Sequence, residues 1–114
     1  QTNIESLHYR IDMYRGFIAY DARSFAPATK LYKSAIAFAT KFGFEDRNLF
    51  RVYRDLGTML ARDPLQTESA VEYLSRAIQL SAKYKPGEAG ALRLALRRIS
   101  LRRIDKLNGL DDNS

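Results

Sequence analysis

Residues 28–42, ATKLYKSAIAFATKF, and residues 70–84, AVEYLSRAIQLSAKY, carry one pattern twice at an offset of 42. Ala28, Ala35, Ile36 and Lys41 recur as Ala70, Ala77, Ile78 and Lys83, and the aromatic Phe42 is answered by Tyr84. Within each stretch the apolar residues fall three or four apart, the spacing of one helical face. Small residues on that face let a neighbouring helix come close, and a large residue (Tyr32 or Leu74) fills the adjacent hollow.

The pattern extends upstream. Tyr14-Arg15-Gly16 loosely matches Tyr53-Arg54-Asp55-Leu56-Gly57, with a glycine 12 or 13 positions before each alanine-led stretch. Residues 4–21 carry Ile4, Leu7, Ile11, Tyr14 and Ile18 as a helical stripe, widened toward a second face by Met13, Phe17 and Tyr20. Ser24 is a plausible N-cap for the second helix, Pro27 falls in its first turn and Gly43 stops it. Asp46 or Glu45 opens a third helix with Leu49, Val52, Tyr53, Leu56 and Leu60. Asp63-Pro64-Leu65-Gln66 is a start signal for the fourth, which ends before Pro86-Gly87. The fifth runs from about Glu88 to Leu107, stopped by Asn108-Gly109. No stretch alternates as a strand does, and short connections force neighbouring helices antiparallel. The expectation is an all-α chain of about five helices, one domain over 1–110, with a flexible tail at 111–114.

This arrangement resembles the tetratricopeptide repeat, whose pattern sets a small residue in the first helix against Ala, a large residue and Ala in the second. Gly16, Ala28, Tyr32 and Ala35 fit it in one unit; Gly57, Ala70, Leu74 and Ala77 fit it in the next, with one extra residue in the turn. The units span about 9–43 and 46–85, followed by a capping helix at about 88–107. The usual Trp and the Leu-Gly pair are missing from the first unit, no Pro closes either repeat, and the spacing is that of a long-helix variant. The resemblance implies antiparallel hairpins stacked as an α-solenoid, with the first helix of each unit lining a concave groove. Arg10, Met13, Phe17 and Tyr20, then Arg51 and Arg54, then Arg93 and Arg97, would face that groove. Arg10, Arg51 and Arg93 would form a column able to hold carboxylates by forked hydrogen bonds. Equally, these arginines read as a solvated face.

The fifth helix is apolar on two sides. Leu92, Ala95, Leu96 and Ile99 form one face, and Leu94 and Leu101 point nearly opposite among arginines. The second side is open to a partner protein, a following repeat or a second copy of the chain, or holds two isolated surface leucines. The basic excess also concentrates here. Residues 83–107 hold eight of the 19 basic side chains and only two acids, whereas residues 1–82 are nearly balanced. That segment is attractive to an acidic protein surface, a nucleic acid or an anionic membrane surface.

Composition narrows the function classes. The chain of 114 residues has no cysteine, so thiol chemistry and thiolate metal sites are excluded. Its one histidine, His8, lies beside the first stripe and reads as a packing or surface residue. There is no phosphate-binding glycine loop, no nucleophile elbow and no membrane-spanning apolar run. No signal-peptide pattern opens the chain, and its start at Gln1 carries the expectation of a piece trimmed from something longer. The expected function is a non-enzymatic, cofactor-free interaction module, soluble and intracellular. It would bind an acidic peptide or helix through the groove residues, or a partner or second copy through Leu94 and Leu101. The alternative is a basic helical module that binds nucleic acid or an anionic surface through residues 83–107.

Overall fold

Asn3 opens the first helix: its side chain accepts the Ser6 N–H at 2.7 Å and so satisfies a donor that the helix itself leaves free. The computed structural model describes residues 3–109, and the tail expected at 111–114 lies outside them. Five α-helices span the described residues: α1 (Ile4–Asp21), α2 (Phe25–Phe42), α3 (Arg47–Leu60), α4 (Thr67–Tyr84) and α5 (Ala89–Leu107). Single 3-10 turns, Pro64–Gln66 and Pro86–Glu88, lead into α4 and α5. No described residue is in a strand. The fold is all-α, a stack of helical hairpins. Among the described residues no helix is long and apolar enough to cross a membrane.

The breaks between helices follow local chemistry. Gly43 ends α2 in the left-handed region at φ 74°, where a side chain would be strained. Of the two acids ahead of α3, Asp46 is the cap, accepting the Leu49 N–H at 3.0 Å. Asp63 accepts the Leu65 N–H at 2.9 Å and starts the 3-10 turn. Ser24 stands at the head of α2 but makes no side-chain capping bond.

α1 with α2, and α3 with α4, form two tight hairpins; α3 then seats on the first hairpin, and α5 lies along α4. Each hairpin closes over its glycine. A Cβ built on Gly16 would stand 2.6 Å from the Tyr32 ring, and one on Gly57 would stand 2.7 Å from the Leu74 side chain. The recurring small-against-large pattern is therefore a recurring contact. The stack is elongated, 53 × 28 × 25 Å.

One helix sits differently from the groove expectation. α1 buries Tyr9, Met13, Gly16 and Phe17 against the rest of the protein. Met13, expected on the groove, is fully covered, and Phe17 is buried against Tyr32. The stripe Ile4, Leu7, Ile11, Tyr14 and Ile18 faces the other way, 43–69% exposed. Both faces of α1 are apolar, and the one with the larger aromatic and sulfur side chains, grouped around Gly16, is the one that packs.

Candidate functional site

Asp55 of α3, which the sequence reading did not single out, is held by two of the arginines expected to face the groove. It is 1% exposed, yet every polar atom of its carboxylate is used. The Tyr32 hydroxyl donates to Oδ2 at 2.6 Å and Arg51 Nε donates to the same oxygen at 3.0 Å. Arg54 donates to Oδ1 from Nε at 3.1 Å and from Nη2 at 3.0 Å. Arg51 also pairs with Asp21 at 2.8 Å, and its guanidinium lies 4.2 Å from the centre of the Phe17 ring. Arg54 reaches Glu88 at 3.6 Å. Burial, and then the hydrogen bond to Asp55, push the Tyr32 phenol well above its ordinary pKa.

Of the groove residues read from the sequence, Met13, Phe17 and Tyr20 are packed in or against the core, and Arg51 and Arg54 converge on Asp55. Tyr20 is half-buried beside Tyr32. Arg51 and Arg54 spend their charge on Asp21, Asp55 and Glu88, all within the chain. Arg10, Arg93, Leu94, Arg97 and Leu101 are exposed and stand apart from this cluster. On α5 the two-sided character is real: Leu92 and Ile99 are buried, and Leu94 and Leu101 are half exposed.

Besides this α5 face, two further surfaces of the described residues are open to a partner. The first is the outer face of α1. Its five large apolar side chains recur at intervals of three and four, a heptad seam with Ile4, Ile11 and Ile18 at one position and Leu7 and Tyr14 at the other. Beside its N-terminal end lies an open hollow of about 410 Å3 lined by Ile4, His8, Phe38 and Phe42, with the charged Glu5 and Lys41 also in its lining. The register of the seam is informative. Shifted by 41 residues, the same interval that separates Gly16 from Gly57, Leu7, Ile11, Tyr14 and Ile18 correspond to Asn48, Val52, Asp55 and Met59. Those are residues by which α3 docks on the first hairpin. Asn48 donates to Tyr14, Asp55 accepts from Tyr32, and Met59 sulfur accepts from Thr29. Val52 is fully buried.

The second surface is a cleft of about 590 Å3 between the α3–α4 connection and the end of α5. Arg62, Arg102, Arg103 and Lys106 line it against a single acid, Glu68, and none of the four basic residues has an ion-pair partner among the described residues.

Sequence reasoning found the stripe of α1 but not its direction, because apolar residues on both faces balance the periodicity. Glu45 was read only as a possible cap. It instead accepts hydrogen bonds from Arg76 at 3.2 Å, Lys83 at 3.0 Å and the Tyr84 hydroxyl at 3.0 Å, fastening the connection before α3 to α4. No family model, no curated protein and no solved structure matches the chain.

Proposed function

We propose that this chain is a non-catalytic protein–protein interaction module, a short stack of tetratricopeptide-like hairpins whose outer α1 face receives a helix of another protein. The observation that carries the reading is the exposed seam of Ile4, Leu7, Ile11, Tyr14 and Ile18, of which Tyr14 also accepts a hydrogen bond from Asn48 of α3. It runs about 21 Å along the helix at 1.5 Å per residue. A continuous apolar row of this kind marks an interaction site, unlike scattered single residues. Its correspondence with the docking row of α3 adds support, since that register already works as a helix-packing face within this chain. The tetratricopeptide part of the reading draws support from the paired Gly16–Tyr32 and Gly57–Leu74 contacts.

The test is a selection of helical peptides from a displayed library on the intact chain, with Ile11→Asp/Ile18→Asp as the counter-target. Binders that lose the double variant, while its melting curve matches wild type, support the reading. Binders that ignore the substitutions, or no enrichment at all, would sink it.

A second reading has its own observation. The four basic side chains around the α5 cleft suit a polyanion, nucleic acid included. Binding of a duplex oligonucleotide that falls steeply with salt and is lost in Arg102→Ala/Arg103→Ala would favour it. The absence of aromatic side chains from the cleft lining argues against base stacking there.

A further inference from the structure

The occupant of the α1 seam is constrained by the charges beside it. In a heptad seam the positions that flank the apolar row choose the partner, because they meet the flanking positions of the opposing helix. On α1 those positions hold Arg10 and the buried Phe17 on one side and His8 and Arg15 on the other. Arg10 and Arg15 are exposed and have no ion-pair partner among the described residues. The acids of the helix stand elsewhere. Asp12 accepts a hydrogen bond from Ser34 on α2, Asp21 pairs with Arg51 on α3, and Glu5, half-buried, lines the adjoining hollow together with Lys41 of α2.

A second copy of the chain is therefore a poor occupant. Laid parallel, two α1 helices set Arg10 of one against Arg15 of the other; laid antiparallel, they set arginine against arginine on the same flank. Like charges so placed oppose association in either direction. An opposing helix with carboxylates in its flanking positions meets the same arginines favourably. Resting on the helix-docking reading above, we propose that the α1 seam selects a heterologous amphipathic helix. This helix has an apolar row for Ile4, Leu7, Ile11, Tyr14 and Ile18 and acidic flanks for Arg10 and Arg15. A large apolar side chain near one end of that helix fills the hollow between His8, Phe38 and Phe42. Seam burial supplies the affinity, and the arginines choose among partners.

The experiment uses two labelled peptides of about 20 residues, long enough to match α1. They carry identical leucine seams, with glutamate in the flanking positions of one and lysine in the other. Fluorescence anisotropy with the full chain reads binding, and light scattering reads the chain's own mass. The glutamate peptide is expected to bind at least about tenfold more tightly, and Arg10→Glu/Arg15→Glu is expected to invert the preference. Ile11→Asp, at a half-exposed position, is expected to abolish binding of both with its melting curve retained. Equal binding of the two peptides would overturn the acidic-flank inference and leave helix docking standing. Binding of neither would overturn both. A wild-type dimer abolished by Ile11→Asp would overturn the inference by seating a second copy on the seam.

Discussion

At the scale of single residues, Asp55 ties the two hairpins together. A buried carboxylate is costly unless its lone pairs are filled, and here a phenol and two guanidinium groups fill them. Asp55→Ala is expected to destabilise the chain by about 3–5 kcal/mol, because it strands two arginines and a hydroxyl. Tyr32→Phe removes one donor and is expected to cost about 1–3 kcal/mol. Urea denaturation measures both. The same contact predicts an alkaline weakness. With the folded Tyr32 phenol held above its unfolded value, its contribution is complete below about pH 10 and is lost as pH rises beyond it. Melts at increasing pH are expected to show a shallower alkaline decline in Tyr32→Phe. Gly16→Ala sets a Cβ against the Tyr32 ring, whose hydroxyl is anchored. The expected loss is about 1–3 kcal/mol despite alanine's better helix propensity. Gly16 and Gly57 were legible from spacing alone. Asp55 was not, because an acid within a helical stripe makes sense only once Tyr32, 23 residues away on another helix, is known to face it.

At the scale of elements, α1 separates periodicity from burial. Its period identified a helix correctly, but two apolar rows offered two candidates for the inside. The choice rests on the fit of Gly16 against Tyr32, which no property of α1 alone contains. The two rows have opposite sensitivities. Met13→Ala is expected to cost about 2–5 kcal/mol, whereas Ile11→Ser should stay within about 0.5 kcal/mol of wild type by urea denaturation. The connection between α2 and α3 makes a different point. Hydrogen bonds from Lys83 and Tyr84, with the charge of Lys83, lower the Glu45 pKa. A carboxylate held low contributes stability above its unfolded pKa and loses it as pH falls through the folded one. Acid melts are therefore expected to converge for wild type and Glu45→Gln, with any gap confined to neutral pH. Boundaries were well marked in the sequence because caps are local: Gly43, Asp46 and Asp63 each act within four residues. The reach of Glu45 to Arg76, Lys83 and Tyr84 is not local and left no trace in the pattern.

At the scale of the whole molecule, the two ends of the stack differ. α1 presents its half-exposed apolar seam at one end, and α5 presents Leu94 and Leu101 with the basic cleft at the other. Light scattering of wild type beside Leu94→Asp/Leu101→Asp assigns the α5 face. A wild-type dimer lost in the variant would give that face to self-association, and a monomer in both would leave it to a foreign partner. The joint between the hairpins has its own character. Tyr9–Asp46, Tyr32–Asp55, Arg51–Asp21, Asn48–Tyr14 and Thr29–Met59 all cross it, so directed polar bonds join the two hairpins at several points. Hydrogen bonds of this kind depend on direction, whereas apolar burial does not. The apolar core also runs through the joint, with Tyr9, Met13 and Tyr32 of the first hairpin in one cluster with Leu49, Val52 and Leu56 of the second. The directed bonds therefore set the angle at which the hairpins meet, and a hinge motion there has to break several of them at once, so the two hairpins are expected to tumble in solution as one stiff body.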